Sequence, residues 1–175
     1  MIGAAPAPGL VVVGAEPYDA PAAVALVADL AAEIDVRYAD DVPEDGDDPD
    51  EAAAWTVRPE QVTPPLGVFL VARIDDAPVG CGALRPALDG TAGLAEVKRM
   101  YTRPDARRRG VSRAVLARLE DAARAFGYRR IQLETGTRQP EAMTLYEATG
   151  YHRIEPYGEF RDDPLSVCYA KTLYP

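Results

Sequence analysis

The sequence predicts an α/β fold built on a mixed sheet, and three observations carry that prediction. Short β-branched runs alternate with amphipathic helical segments in the C-terminal two thirds. An apparent antiparallel hairpin opens this series. The chain of 175 residues, 47% hydrophobic and 27% charged, has the length and composition of one globular domain spanning 1–175.

Residues 20–38 come first, with Val24, Leu26, Val27, Leu30 and Ile34 near helical spacing. The acidic stretch at 40–51 follows and reads as a loop by its proline, glycine and like charges. A weaker helical segment lies around Pro49–Val57. Residues 67–74 read as a strand, Asp75–Pro78 as a turn and 79–84 as the hairpin partner. A third strand covers 92–102. Val111, Ala114, Val115, Leu119, Ala122, Ala123 and Phe126 then share one helix face, which Gly127 ends. Ile131, Leu133 and Thr135 alternate as a strand. Pro140 suits a first helical turn, and Ala142, Leu145, Tyr146 and Thr149 follow before Gly150. Strands at 151–155 and 165–173 close the chain.

The charge is uneven. The net charge is −9, yet Glu96–Arg130 holds eleven basic and four acidic residues, while Asp29–Glu51 holds eleven acidic residues and one basic. An acidic protein with one basic segment predicts a local anionic ligand and argues against a nucleic-acid partner. No apolar run approaches the ~18 residues of a membrane helix. The N-terminus lacks a basic n-region and a long apolar stretch, so a soluble, cytoplasmic protein is expected. Cys81 and Cys168 have no CxxC spacing and, with the single His152, no zinc pattern; both sit in apolar runs and read as buried, inert thiols. No metal is expected.

Residues 96–115, EVKRMYTRPDARRRGVSRAV, carry the clearest chemistry. A glycine at a strand-to-helix turn lets backbone approach a ligand closely. Free amides of the first helical turn form an anion site. Arg107, Arg108, Arg109 and Arg113 add donors for phosphate. Neither GxxxxGK[ST] nor GxGxxG after a strand is present.

The run Arg107-x-x-Gly110-x-Ser112 resembles the coenzyme A pyrophosphate loop, Q/R-x-x-G-x-G/A, of the GCN5-related N-acetyltransferases (GNAT). The segment Gln139 to Tyr151, with Ala142, Leu145, Tyr146 and Gly150, is similar to that family's N-x-x-A-x-x-L-Y-x-x-x-G-F. The resemblance spans about Gly67 to Leu173. Ser112 stands where the family has Gly or Ala, and Gln139 replaces the usual Asn.

The resemblance implies a mixed, mostly antiparallel central sheet flanked by helices, and acetyl transfer from acetyl-CoA to a primary amine of a small molecule or peptide. It implies cofactor contacts at Met100, Tyr101, Thr102, Arg107, Arg108, Arg109, Gly110, Val111, Ser112, Arg113, Gln139 and Tyr146. Backbone N–H groups around Met100 and Thr102 would polarise the acetyl carbonyl. Tyr146 would protonate the departing thiolate, and its alternative is a core aromatic. Glu96 is the candidate base, with Glu134 as its competitor; the alternative for Glu96 is an ion pair with a nearby arginine. Acceptor determinants divide between the acidic stretch, favouring a cationic amine, and Arg37, Tyr38, Tyr157 and Arg161, favouring a carboxylate. The rival function is a non-catalytic acyl-CoA-binding module acting through a protein partner. A homodimer through exposed strands or closing loops is an option that no residue pattern supports.

Overall fold

The computed structural model describes residues 9–41 and 56–174. Seven strands form one sheet in the order β1-β2-β3-β4-β5-β7-β6. They are β1 (Val11–Ala15), β2 (Val68–Ile74), β3 (Ala77–Pro86), β4 (Leu94–Thr102), β5 (Arg130–Gly136), β6 (His152–Ile154) and β7 (Ser166–Thr172). The helices are α1 (Pro21–Arg37), α2 (Val111–Ala125) and α3 (Pro140–Ala148). Every pairing is antiparallel except β4 with β5, so the sheet is mixed, as the sequence predicts, and mostly antiparallel, as the resemblance implies.

Local chemistry explains the turns. The β2–β3 hairpin reverses over Asp75 and Asp76, whose φ values of 49° and 64° suit a two-residue turn that matches strand twist. The turn is therefore shorter than expected, and Ala77 and Pro78 join the strand. Helices α2 and α3 end alike. The N–H of Tyr128 bonds the carbonyl of Ala123, and that of Tyr151 bonds Tyr146. The intervening Gly127 and Gly150 adopt φ of 85° and 88°, the left-handed residue such a helix stop requires.

The sheet carries a core on each face. Val111, Val115, Leu116, Leu119 and Ala123 of α2 are buried against Leu70, Ala72, Leu84, Val97 and Leu133. Ala23 and Leu26 of α1 pack with Phe69, Val71 and Ala83 on the other. Each buried aliphatic side chain contributes about 1.5–3 kcal/mol. The strand β1 was not anticipated: five residues with a glycine and half-exposed valines lack the alternation that marks a strand. The acidic segment leaves α1 at Asp40 and Asp41; its remainder, and most of the helix expected around Pro49–Val57, lie outside the described residues.

Candidate active site

Strands β4 and β5 pair only from Leu94↔Arg130 to Val97↔Leu133. Beyond that point they separate, and the gap between them is the apex of a cleft. A bulge in β4 shapes its floor. Ala83 pairs with Lys98 and Cys81 with Tyr101, so Arg99 and Met100 both oppose Gly82. Arg99 takes φ of 57° to do so, and the extra residue re-aims the strand. Gly82 gives it room: a Cβ there would lie 2.7 Å from Met100 Sδ and from Val115 Cγ1, so these side chains would have to shift.

The cleft encloses about 260 Å³. Its walls come from three elements besides β4: α1 with Leu30, Glu33 and Arg37, the 107–112 turn, and α3 from Gln139 to Tyr146. Of the residues singled out in the sequence, Met100, Tyr101, Thr102, Arg107, Arg108, Val111, Ser112, Gln139 and Tyr146 line it together. Arg109, Gly110 and Arg113 are exposed and do not line it. Gly110 shapes it indirectly as the residue before α2, with φ of 82°. No side chain caps α2, so the first-turn amides keep their donors and the positive end of the helix dipole faces outward. Thr102 Oγ1 is buried without a hydrogen-bond partner, a donor in want of a ligand in the cleft wall.

Sequence reasoning singled out Arg37 and Arg107 but missed the carboxylates they meet at the mouth, Glu33 and Glu141. Glu33 receives Arg37 at 2.6 Å and also pairs with Arg107, while Arg37 pairs in turn with Glu141. This chain of charges ties α1, the arginine turn and α3 across the opening. The i,i+4 spacing of Glu33 and Arg37 is a sequence signal; their reach to Arg107 and Glu141, 74 and 104 positions away, is not.

Tyr146 lies at the inner wall, 4% exposed, with its ring 5.8 Å from that of Tyr151 and 5.9 Å from that of Tyr169. Burial, and next the nearby Glu134 carboxylate, push its phenol well above the ordinary range. The hydroxyl therefore stays protonated.

Glu96 stands elsewhere. It is 2% exposed and lies outside the main cleft. Its Oε2 accepts from Arg85 Nε at 2.8 Å, and its Oε1 accepts from the Tyr157 hydroxyl at 3.0 Å. Lys98 Nζ is 4.0 Å away. The ion-pair alternative is thus the geometry present, with Arg85 as the arginine. Both thiols are buried and free, and desolvation pushes Cys81 up to about 12 and Cys168 to about 11. No cluster of three or more metal-ligating side chains occurs among the described residues.

This architecture has close counterparts. The family model described as "Acetyltransferase (GNAT) family" matches residues 30–151. The chain belongs to the GNAT acetyltransferase family. The IAA acetyltransferase of Azospirillum brasilense is 44% identical over 105 residues, which cover 60% of this chain and 67% of that protein. A Klebsiella pneumoniae structure described as an acyl-CoA N-acyltransferase superposes with a TM-score of 0.74 at 27% identity, covering 94% and 99% of the two chains. A Salmonella typhimurium acetyltransferase structure that holds acetyl-CoA shares the fold, with a TM-score of 0.65 at 17% identity over 94% of each chain. As a GNAT acetyltransferase the protein takes its acyl group from acetyl-CoA. The donors around the cleft fit that molecule: uncapped amides and arginines for its pyrophosphate, and an unpartnered Thr102 hydroxyl for a polar group of its arm.

Proposed function

We propose that this GNAT acetyltransferase acetylates a primary amine of a small molecule or peptide by direct attack, with no acyl-enzyme intermediate. The observation that carries the proposal is the continuity of one cleft from the arginine turn, past the bulged β4, to Tyr146. Arg107, Arg108, Ser112 and the first-turn amides of α2 hold the pyrophosphate; Thr102 and Gln139 orient the pantetheine arm. Acetyl-CoA supplies an activated acyl group and a thiolate leaving group. Beyond Val97 strand β4 has no pairing to β5, and the backbone N–H groups of its bulged stretch are the donors assigned to the oxyanion. Tyr146, held protonated, gives its proton to sulfur. No cysteine serves as a nucleophile, since both thiols are buried and pushed far above neutral pH.

The test is thiol release from acetyl-CoA with a panel of cationic amines, amino acids, peptides and IAA, the last taken from the Azospirillum relative's name. At least one acceptor is expected to turn over. Tyr146→Phe should lower kcat by roughly 10²–10⁴ while acetyl-CoA still binds. Binding without turnover on any acceptor would replace the proposal with the non-catalytic acyl-CoA module.

A further inference from the structure

The mouth of the cleft already holds opposed charges, and one of them sits on an arginine assigned to the coenzyme's diphosphate. Arg107 is engaged within the protein: its Nε donates to the Thr102 carbonyl at 3.2 Å, and its Nη2 donates to Glu33 Oε2. A guanidinium grips a phosphate with two parallel bonds, through Nε with Nη2 or through Nη1 with Nη2. Both grips need Nη2, and Glu33 occupies it.

Glu33 is itself a residue of the cleft wall. Its other oxygen, Oε1, accepts from Arg37 Nε at 3.1 Å and from Arg37 Nη2 at 2.6 Å. A carboxylate at this point repels a diphosphate in addition to holding the diphosphate's partner. The pair is open to exchange: the Arg107 and Glu33 side chains are 36% and 23% exposed, and water screens a contact of that kind. We propose that Glu33 is an internal competitor of the coenzyme, which occupies Arg107 in the free protein, yields it to the diphosphate and takes it back as CoA leaves. This holds only with Arg107 on the diphosphate, as proposed above.

Yielding Arg107 does not free α1, whose end is clasped to the loop before α3. Arg37 Nη1 donates to the Arg138 carbonyl at 3.0 Å, and Arg138 Nη1 donates back to the Arg37 carbonyl at 3.2 Å. The Arg138 backbone N–H donates to the Tyr38 hydroxyl at 3.1 Å, and its Nη2 donates to Asp41 Oδ1 at 2.8 Å. Arg37 also pairs with Glu141. The exchange therefore moves the Arg107 side chain and leaves α1 in place. CoA and acetyl-CoA carry the same diphosphate, so the competitor lowers the affinity for substrate and product by one factor. It acts on binding and release and leaves the transfer step alone.

Titration calorimetry of the full chain with CoA and with acetyl-CoA tests the competitor. Glu33→Gln should tighten both by a common factor, roughly three- to ten-fold. The KM for acetyl-CoA should fall with it, and kcat should not rise. Glu141→Gln is the control for charge alone, because it removes a carboxylate from the same cleft while Glu33 stays on Arg107. It should change affinity less than about two-fold. Arg107→Gln should weaken both ligands, and Glu33→Gln added to it should gain no more than Glu141→Gln does.

Unchanged or weaker binding in Glu33→Gln would make Glu33 a support for Arg107 and overturn the proposal. An equal gain in Glu141→Gln, or a gain that persists without Arg107, would overturn it too, and acetyl transfer would stand in each case. A wild-type protein that binds CoA no better than Arg107→Gln does would remove both the competitor and the place given to the diphosphate.

Discussion

Arg85 and Glu96 face each other across β3 and β4, and their side chains are 0% and 3% exposed. A charge pair so placed stabilises little by itself, because desolvation cancels most of its attraction, but breaking it leaves a buried charge alone. Arg85→Met should therefore cost about 3–5 kcal/mol in urea unfolding. Arg85→Met with Glu96→Gln should recover part of that loss. A single variant as stable as wild type would contradict the buried pair. The same contact shows where the sequence stops being legible. Glu96 attracts notice as a carboxylate on the strand facing the cofactor, yet its partner becomes visible only once the β3–β4 register is known. Tyr146, by contrast, stands inside a motif whose spacing places it on the helix that lines the cleft.

At the scale of elements, the strand–turn–helix from β4 to α2 organises the cofactor end. Its helix period, its glycine stop and its arginine turn were all readable, because each depends on neighbours within a few residues. The bulge at Arg99 was not. An arginine in the left-handed region carries no glycine to announce it, and the strain is held by pairing to β3. Strand β1 was hidden for a related reason: it is an edge strand whose run of three valines shows no apolar–polar alternation, although Val11 and Val13 pack on the core and Val12 is exposed. Gly110 tests the turn itself. Its φ of 82° is costly for any other residue, while a Cβ there meets nothing within 4 Å, so the penalty is conformational and not steric. Gly110→Ala should lose about 1–2 kcal/mol of stability, or relax the turn and weaken acetyl-CoA binding roughly ten-fold. Denaturant unfolding with a parallel titration measures both; a variant unchanged in each would contradict the role given to this turn.

At the scale of the whole molecule, the fold brings one arginine-rich segment of an acidic chain to the mouth of a cleft that two splayed strands create. The positive charge is answered locally: Glu33 holds Arg107 and Arg37, and Glu141 holds Arg37 again. Such half-exposed pairs are worth about 0–1 kcal/mol each, little enough for a diphosphate to displace. The sequence showed the arginines and the acidic segment as separate blocks; that α1 closes over the arginine turn follows from tertiary packing alone. The cleft so formed should select a ligand that has both a pyrophosphate and a pantetheine arm. Thermal unfolding with acetyl-CoA, CoA or NAD tests that claim most directly. At about 100 times its dissociation constant a ligand adds roughly 2.7 kcal/mol, or roughly 5–10 °C for a chain of this size. The account predicts that rise with acetyl-CoA and with CoA and none with NAD. No rise with either coenzyme A form, or an equal rise with NAD, would contradict it.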